Sequence, residues 1–298
     1  MNGKVKLLSA MLIWGSIGLF VKKIELGSSE LAFLRGVIGS VFLFAVTLLI
    51  KHKVSLKALK ENALLLLLSG GAVGLNWIFL FESYRYTTIS NATISYYFAP
   101  IFVMILAPWI LKEKISGVKI GSILAAMTGL FLIVQSGSAG AAGSYNHALG
   151  ILYGLLAAAF YASAILMNKF IKNLSGFELT LVQLISAALV LLPYILWRGQ
   201  LSFTGLTSSS ILFILIVGIV HTGVAYFLYF TSLQQLKGQT IAVLSYMDPI
   251  SAVIFAAIFF GESMTPLQMI GGILILGSTF LSEKLEVKMG KNNPTTTS

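Results

Sequence analysis

The stretch NWIFLFESYRYTTISNATISYYFAPIFVMILAPWILKEK, residues 76–114, is echoed later in the chain. Moved on by 149 positions it lies over AYFLYFTSLQQLKGQTIAVLSYMDPISAVIFAAIFFGES, residues 225–263. Identical pairs in and beside it include Gly74/Gly223, Phe81/Phe230, Ser83/Ser232, Tyr97/Tyr246, Pro100/Pro249, Ile101/Ile250 and Glu113/Glu262. Nearer the start the offset is 147 or 148: Ser16 matches Ser163, Lys22 matches Lys169, and Glu30-Leu31 matches Glu178-Leu179. Apolar matches between apolar segments arise by chance. The matched proline, glutamate and lysine carry the repeat.

Composition says what is being repeated. The 298 residues are 57% hydrophobic and 10% charged, with a mean hydropathy of +0.92. A soluble domain carries roughly 25% charged residues, so this is a polytopic membrane protein. Spanning the bilayer takes about 20 mostly apolar residues. Ten segments qualify, near 5–21, 30–50, 63–82, 91–111, 119–136, 149–170, 178–197, 211–231, 241–260 and 267–282. The basic, then apolar, N-terminus has no clear small-x-small cleavage site, so it reads as a retained first span. The connections are short. The longest, GSAGAAGSYNH at 137–147, divides the chain into a first repeat at 1–140 and a second at 141–284, with a polar tail at 285–298.

Five spans per repeat is an odd number, so the second copy must enter the membrane upside down. Charge agrees. Of the 20 lysines and arginines, all but Lys22, Lys23, Arg35, Arg85 and Arg198 fall on the side of the N-terminus. The positive-inside rule then makes both termini cytoplasmic. The net charge of +10 is thus a topology signal and not a sign of nucleic-acid binding. The expected fold is an all-α membrane protein of ten transmembrane helices in two inverted five-helix repeats. That architecture belongs to secondary transporters, with the site near mid-membrane between the repeats.

The chain has no cysteine, which removes disulfides, thiolate metal sites and cysteine nucleophiles. There is no Walker loop, GxSxG elbow or HExxH helix. No cofactor or metal is expected, and the protein is not expected to be an enzyme. His52 and His147 fall in loops, so His221 has no second histidine to share a metal with.

LSYMDPIS, 244–251, holds the first site candidate. A carboxylate at mid-span costs about 2.5–3.5 kcal/mol on insertion scales, and such residues usually face a cavity. Asp248 could hold a substrate amine or carry an exchanged proton, or it could be a structural aspartate bonded to a neighbour. Ser245 and Ser251 lie on its helical face. His221, mid-span in span eight, could relay protons with Asp248 or donate one interhelical hydrogen bond. Pro100 and Pro249 occupy equivalent positions; each removes a backbone donor, and paired kinks could be hinges or packing bends. Ala99 stands where Asp248 stands in the other repeat.

Asn76 lies mid-span in span three, and Asn91, Ser95 and Ala99 form a small, polar stripe on span four. Trp14 corresponds to Tyr161 and Trp77 to Tyr226; these rings could contact an organic substrate or simply pack. Glu113 and Glu262 could hydrogen-bond a loop or gate the cavity. Lys22 and Lys169 read as headgroup anchors. Arg35 could snorkel or pair with Glu30 or Glu82, and Glu82 could instead pair with Arg85. Gly121, Ala125 and Gly129, and then Gly154, Ala158 and Ala162, form small-xxx-small ridges that would serve a close contact within the monomer or a homodimer.

Segments IWGSIGLFVKK (13–23), LAFLRG (31–36), YYFAPIFVMILAPWILKEK (96–114) and LSYMDPISAVIFAAIFFGES (244–263) resemble the EamA-type transporters of the drug/metabolite transporter superfamily. In that family an acidic residue often precedes the proline of span nine and Gly-Glu often follows the span, as Asp248-Pro249 and Gly261-Glu262 do here. The first repeat departs from it with Lys112-Glu113. The resemblance implies alternating-access transport, usually outward, of amino acids or related small organic metabolites across a bacterial cytoplasmic membrane. Cationic drugs or another metabolite class are the alternative substrates, and protons a possible coupling ion. It further implies that spans one, three, four, six, eight and nine line the cavity, with five and ten behind. A membrane enzyme or sensor is the remaining, remote alternative.

Overall fold

A computed structural model describes residues 2–52, 54–112, 115–139, 145–198, 206–236 and 238–292. Glu113, Lys53, Lys114, Lys237, linker residues 140–144 and tail residues 293–298 fall outside the described residues. All described regular structure is helical. Among the described residues, eight helices are long and apolar enough to cross a membrane: Gly3–Val21, Ser28–Leu49, Ala63–Tyr86, Ile89–Ile110, Gly117–Gln135, His147–Asn168, Gly176–Trp197 and Ser208–Leu233. Two shorter apolar helices, Met247–Phe260 and Pro266–Ser282, complete the ten. These are spans one to ten.

Polar residues set where the spans begin. Thr88 accepts from the Asn91 amide at 3.1 Å, Asn146 from Leu149 at 3.1 Å and Thr207 from Ser210 at 3.2 Å, satisfying orphan donors at the starts of spans four, six and eight. Span seven opens with a capping box, the Ser175 amide donating to Glu178 Oε2 at 2.8 Å and the Glu178 amide to Ser175 Oγ at 3.2 Å. The outer surface is apolar, with Leu48, Leu64, Trp109, Phe131, Trp197, Phe259 and Ile273 among its exposed side chains. Such a surface suits lipid, where backbone polar groups must be satisfied internally.

Loop contacts fix which span ends share a face. Lys22, after span one, meets Glu262, after span nine, and Tyr145, before span six. At the opposite end Asn62, before span three, bonds the Lys172 carbonyl after span six at 3.0 Å, and Glu178 accepts from the Ser55 amide at 3.3 Å. Repeat mates therefore run in opposite directions. Below, the end holding the N-terminus is the near end and the Glu262 end is the far end.

Span three packs along span six, and span one along spans eight and nine, while spans five and ten pack mainly on each other. Small residues permit these approaches. A Cβ on Gly129 would lie 2.5 Å from the Gly271 carbonyl, and one on Gly154 would lie 2.8 Å from Ser95 Cβ. Both ridges are thus used within the chain at these glycines.

Candidate functional site

Spans four and nine are each broken in the middle. Span four consists of Ile89–Tyr96 and Ala99–Ile110, and span nine of Gly238–Ser245 and Met247–Phe260. The prolines explain the positions. Pro100 and Pro249 sit in the first turn of each second piece, where the missing N–H would be unpaired anyway. The repeated Tyr97 and Tyr246 occupy the breaks themselves. The interruptions are short, with Tyr97 at φ −70° ψ 6°, Phe98 at φ −74° ψ −8° and Tyr246 at φ −70° ψ −9°, so each span is kinked rather than unwound, and matched interruptions in the two halves point to a binding site.

The two breaks communicate. Tyr97 donates its hydroxyl to Asp248 Oδ2 at 2.6 Å, a hydrogen bond from one repeat to the other. Asp248 also stands in the first turn of its half-helix, where the positive end of the helix dipole favours a carboxylate. Span one presses close here, since a Cβ on Gly15 would lie 2.7 Å from the Asp248 carbonyl. Ser251 Oγ returns to the Asp248 carbonyl at 2.9 Å and Ser245 Oγ to the Ile241 carbonyl at 2.9 Å.

Aromatic rings surround this bond. Tyr96 packs on Tyr97 at 6.0 Å and on Tyr161 at 5.6 Å between ring centroids. Trp14 meets Tyr226 at 5.1 Å and Tyr229 at 5.2 Å. The Tyr161 hydroxyl is within electrostatic reach of Asp248, Tyr226 and Tyr229, yet 40% of Tyr161 is accessible.

His221 and Ser95 are engaged elsewhere, and Asn76 ties span three to span six beside Tyr96. His221, 1% exposed, faces Ser16 at 3.0 Å and the Ile216 carbonyl at 3.3 Å, and its own carbonyl accepts from Trp14 Nε1 at 2.8 Å. Its ring contacts span one and not Asp248. Asn76 donates to the Ala157 carbonyl at 2.7 Å, tying span three to span six. Ser95 is fully buried against span six and bonds back to the Asn91 carbonyl at 2.7 Å.

The far end is tied together by a cluster built on Glu262. Gly261 adopts φ 63°, the left-handed conformation that ends a helix. The Gly261 amide reaches the Ala257 carbonyl at 3.1 Å and the Glu262 amide the Ala256 carbonyl at 3.3 Å. That turn aims Glu262 at the start of span four, where it accepts from the Ile89 amide at 2.8 Å and from the Ser90 amide and hydroxyl at 3.1 Å each. Lys22 completes the cluster at 3.1 Å from Glu262 Oε1. Lys22 is an ion-pair partner here and not only the headgroup anchor expected of it. The far halves of spans four and nine pack together, while their near halves make no comparable contact among the described residues.

Arg35 departs from expectation too. It pairs with neither Glu30 nor Glu82; Glu82 instead sits 3.7 Å from Arg85. Arg35 Nε donates to Thr222 Oγ1 at 2.8 Å, and the guanidinium lies 4.4 Å from the Trp77 ring centroid. Thr222 belongs to a π-helical segment, Val217–Val224, in which its hydroxyl bonds the Val217 carbonyl at 2.9 Å. Nothing in the periodicity marks this widened turn, and π segments concentrate at functional sites.

A kinked helix in each of two inverted repeats, the two joined by the Tyr97–Asp248 bond and tied together at one end, is a transporter's frame. The EamA-like transporter family profile matches residues 1–135 and again 148–283. The chain belongs to that family. Its similarity to an uncharacterized transporter, YxxF, of Bacillus subtilis is 32% identity over 98% of this chain and 92% of that protein. Human solute carrier family 35 member G1 is 28% identical over 91% of this chain and 76% of its own length. A crystal structure with 18% identity superposes at a TM-score of 0.63, covering 95% of this chain and 98% of the other, and supports the fold alone. This EamA-like protein is accordingly an integral membrane transporter, and its small-molecule substrate is what the frame must accommodate.

Proposed function

We propose that the protein exports amino acids or related small organic metabolites by alternating access, its two halves rocking about the tyrosine-lined centre. The observation carrying this is the Tyr97–Asp248 bond, which joins the two helix breaks across the repeats. A substrate amine could replace the Tyr97 hydroxyl as the partner of Asp248, or Asp248 could exchange a proton for it. The Lys22–Glu262 cluster ties the far end together, which supports reading the near end as the side on which this state would open. That end is the cytoplasmic one if both termini lie inside a bacterial cytoplasmic membrane, the orientation the lysine distribution supports. Pro100 and Pro249 then sit at the hinges, with 1–140 and 141–284 as the moving repeats and 285–298 as a cytoplasmic tail. The rings of Trp14, Tyr226 and Tyr229 also favour a second reading, an organic cation of drug type.

Proteoliposome flux tests both. Wild type and Asp248→Asn are compared at two pH values with a panel of amino acids, amines and lipophilic cations. At least one amine-bearing compound is expected to move, with a loss of about tenfold or more in the variant, the worth of one hydrogen bond to a charged group. Unchanged flux in Asp248→Asn at both pH values removes Asp248 from the mechanism. Absence of flux for the whole panel removes this substrate class.

A further inference from the structure

The inverted repeat gives every span a control. Spans two and seven are mates, and Arg35 corresponds to Gln183 at the same offset of 148 that aligns Glu30 with Glu178. Gln183 is structural. Its Nε2 bonds Ser69 Oγ at 3.0 Å and Asn168 Oδ1 at 2.8 Å, tying span seven to spans three and six. Arg35 makes the matching tie with Nε alone, joining span two to span eight through Thr222. A neutral amide therefore suffices for this interhelical link. The guanidinium adds a charge the architecture does not require.

That charge is expensive. Arg35 is 4% exposed, and no carboxylate lies within 4.0 Å of it among the described residues. Buried charges are ordinarily paired, because removing an ion from water costs several kcal/mol. The Trp77 and Phe81 rings supply only partial compensation, at 4.4 and 5.8 Å. The guanidinium lies beside the ring cluster: its partner Thr222 is one helical turn before Tyr226 on span eight, and Tyr226 packs on Trp14 at 5.1 Å. Arg35 and Asp248 do not pair with each other.

We infer that Arg35 binds the anionic group of the substrate, a carboxylate held by its unpaired N–H edge, and that the substrate is a zwitterion with its amine toward Asp248. This rests on the transport reading above and deepens it by assigning the second charge. Arg35, the eighth residue of the 22-residue span two, and Asp248 are charged residues inside a span whose mates, Gln183 and Ala99, are neutral. They have opposite signs, and span one links their surroundings, Gly15 lying against Asp248 and Trp14 against Tyr226. A symmetric scaffold has thus been made polar across its centre, which is what orienting a zwitterion demands.

Binding to the full chain in lipid nanodiscs tests this without requiring flux. The probes are acetate, ethylammonium and 6-aminohexanoate, with chloride held constant, and the variants are Arg35→Gln and Asp248→Asn. Glutamine at 35 restores what the mate uses, so the Thr222 tie survives and the variant folds. Wild type is expected to bind acetate saturably and 6-aminohexanoate more tightly. Arg35→Gln should weaken both by about tenfold or more while leaving ethylammonium unchanged, one charge-assisted bond being lost. Asp248→Asn should leave acetate unchanged and weaken 6-aminohexanoate. Absence of saturable acetate binding to wild type, or acetate affinity unchanged in Arg35→Gln, overturns the assignment. Loss of ethylammonium binding alone would strike the Asp248 reading and leave Arg35 standing.

Discussion

The breaks in spans four and nine are built alike and equipped differently. Both put a tyrosine at the break and a proline in the next turn. In span nine Asp248 precedes the proline and accepts from Tyr97; in span four Ala99 precedes it, 1% exposed and packed. Tyr246, the mate of Tyr97, packs edge-on against Phe280 at 5.5 Å. The span ends differ in the same way. Gly261 makes the left-handed turn after span nine without penalty, and its mate Lys112 makes the same turn at φ 57°. Shared residues thus preserve the fold in both halves, and unshared ones give each half its own work.

Forcing the halves to match should do the most harm at the centre. Ala99→Asp would add a second mid-span carboxylate in a packed site. A loss of about 3 kcal/mol is expected in detergent unfolding, on the scale of inserting such a charge. A melting temperature equal to wild type would mean that span four has room and a partner for it.

Opening the far end comes next. Glu262→Gln removes the ion pair with Lys22 and weakens three accepted bonds. About 2 kcal/mol should move toward the far-open state, given 1.5–3 kcal/mol for a bond to a charged group. The chain has no cysteine, so a single Tyr161→Cys reporter is clean. Its labelling by an impermeant far-side reagent should rise severalfold in Glu262→Gln, and unchanged labelling would show that the cluster does not hold that end shut.

Tyr97→Phe and Tyr246→Phe ask the subtler question. The first deletes the bond to Asp248 and should change substrate affinity by about 1 kcal/mol in binding titrations; the second should change it by less. Equal effects would dissolve the distinction between the breaks. Smallest of all, Lys112→Gly should stabilise the protein by roughly 0.5–1 kcal/mol in thermal unfolding, by relieving the left-handed strain. No gain would mean that the lysine side chain compensates the turn.

Much of this was legible in residues. The repeat, the odd number of spans and the lysine distribution dictated an inverted ten-helix bundle, because apolar length and charge placement are one-dimensional properties. Asp248 and the paired prolines stood out for the same reason: each violates the local rule for an apolar helix. Partners were harder to read. Asn76 and Ser95 are polar and mid-span, but they satisfy neighbouring helices, and His221 looks to Ser16. Polarity in a sequence shows that a partner is needed and not which one.

The sequence by itself therefore determined the number of spans, their antiparallel duplication and the exceptional residues, since burial periodicity and desolvation cost act within single segments. Only the tertiary structure decided that Tyr97 meets Asp248, that Lys22 meets Glu262 and that Arg35 meets no carboxylate among the described residues. Hydrogen bonds and ion pairs act over about 3–4 Å between side chains. Those contacts join positions 151, 240 and 187 residues apart in the case of Tyr97–Asp248, Lys22–Glu262 and Arg35–Thr222, and packing alone brings such positions together.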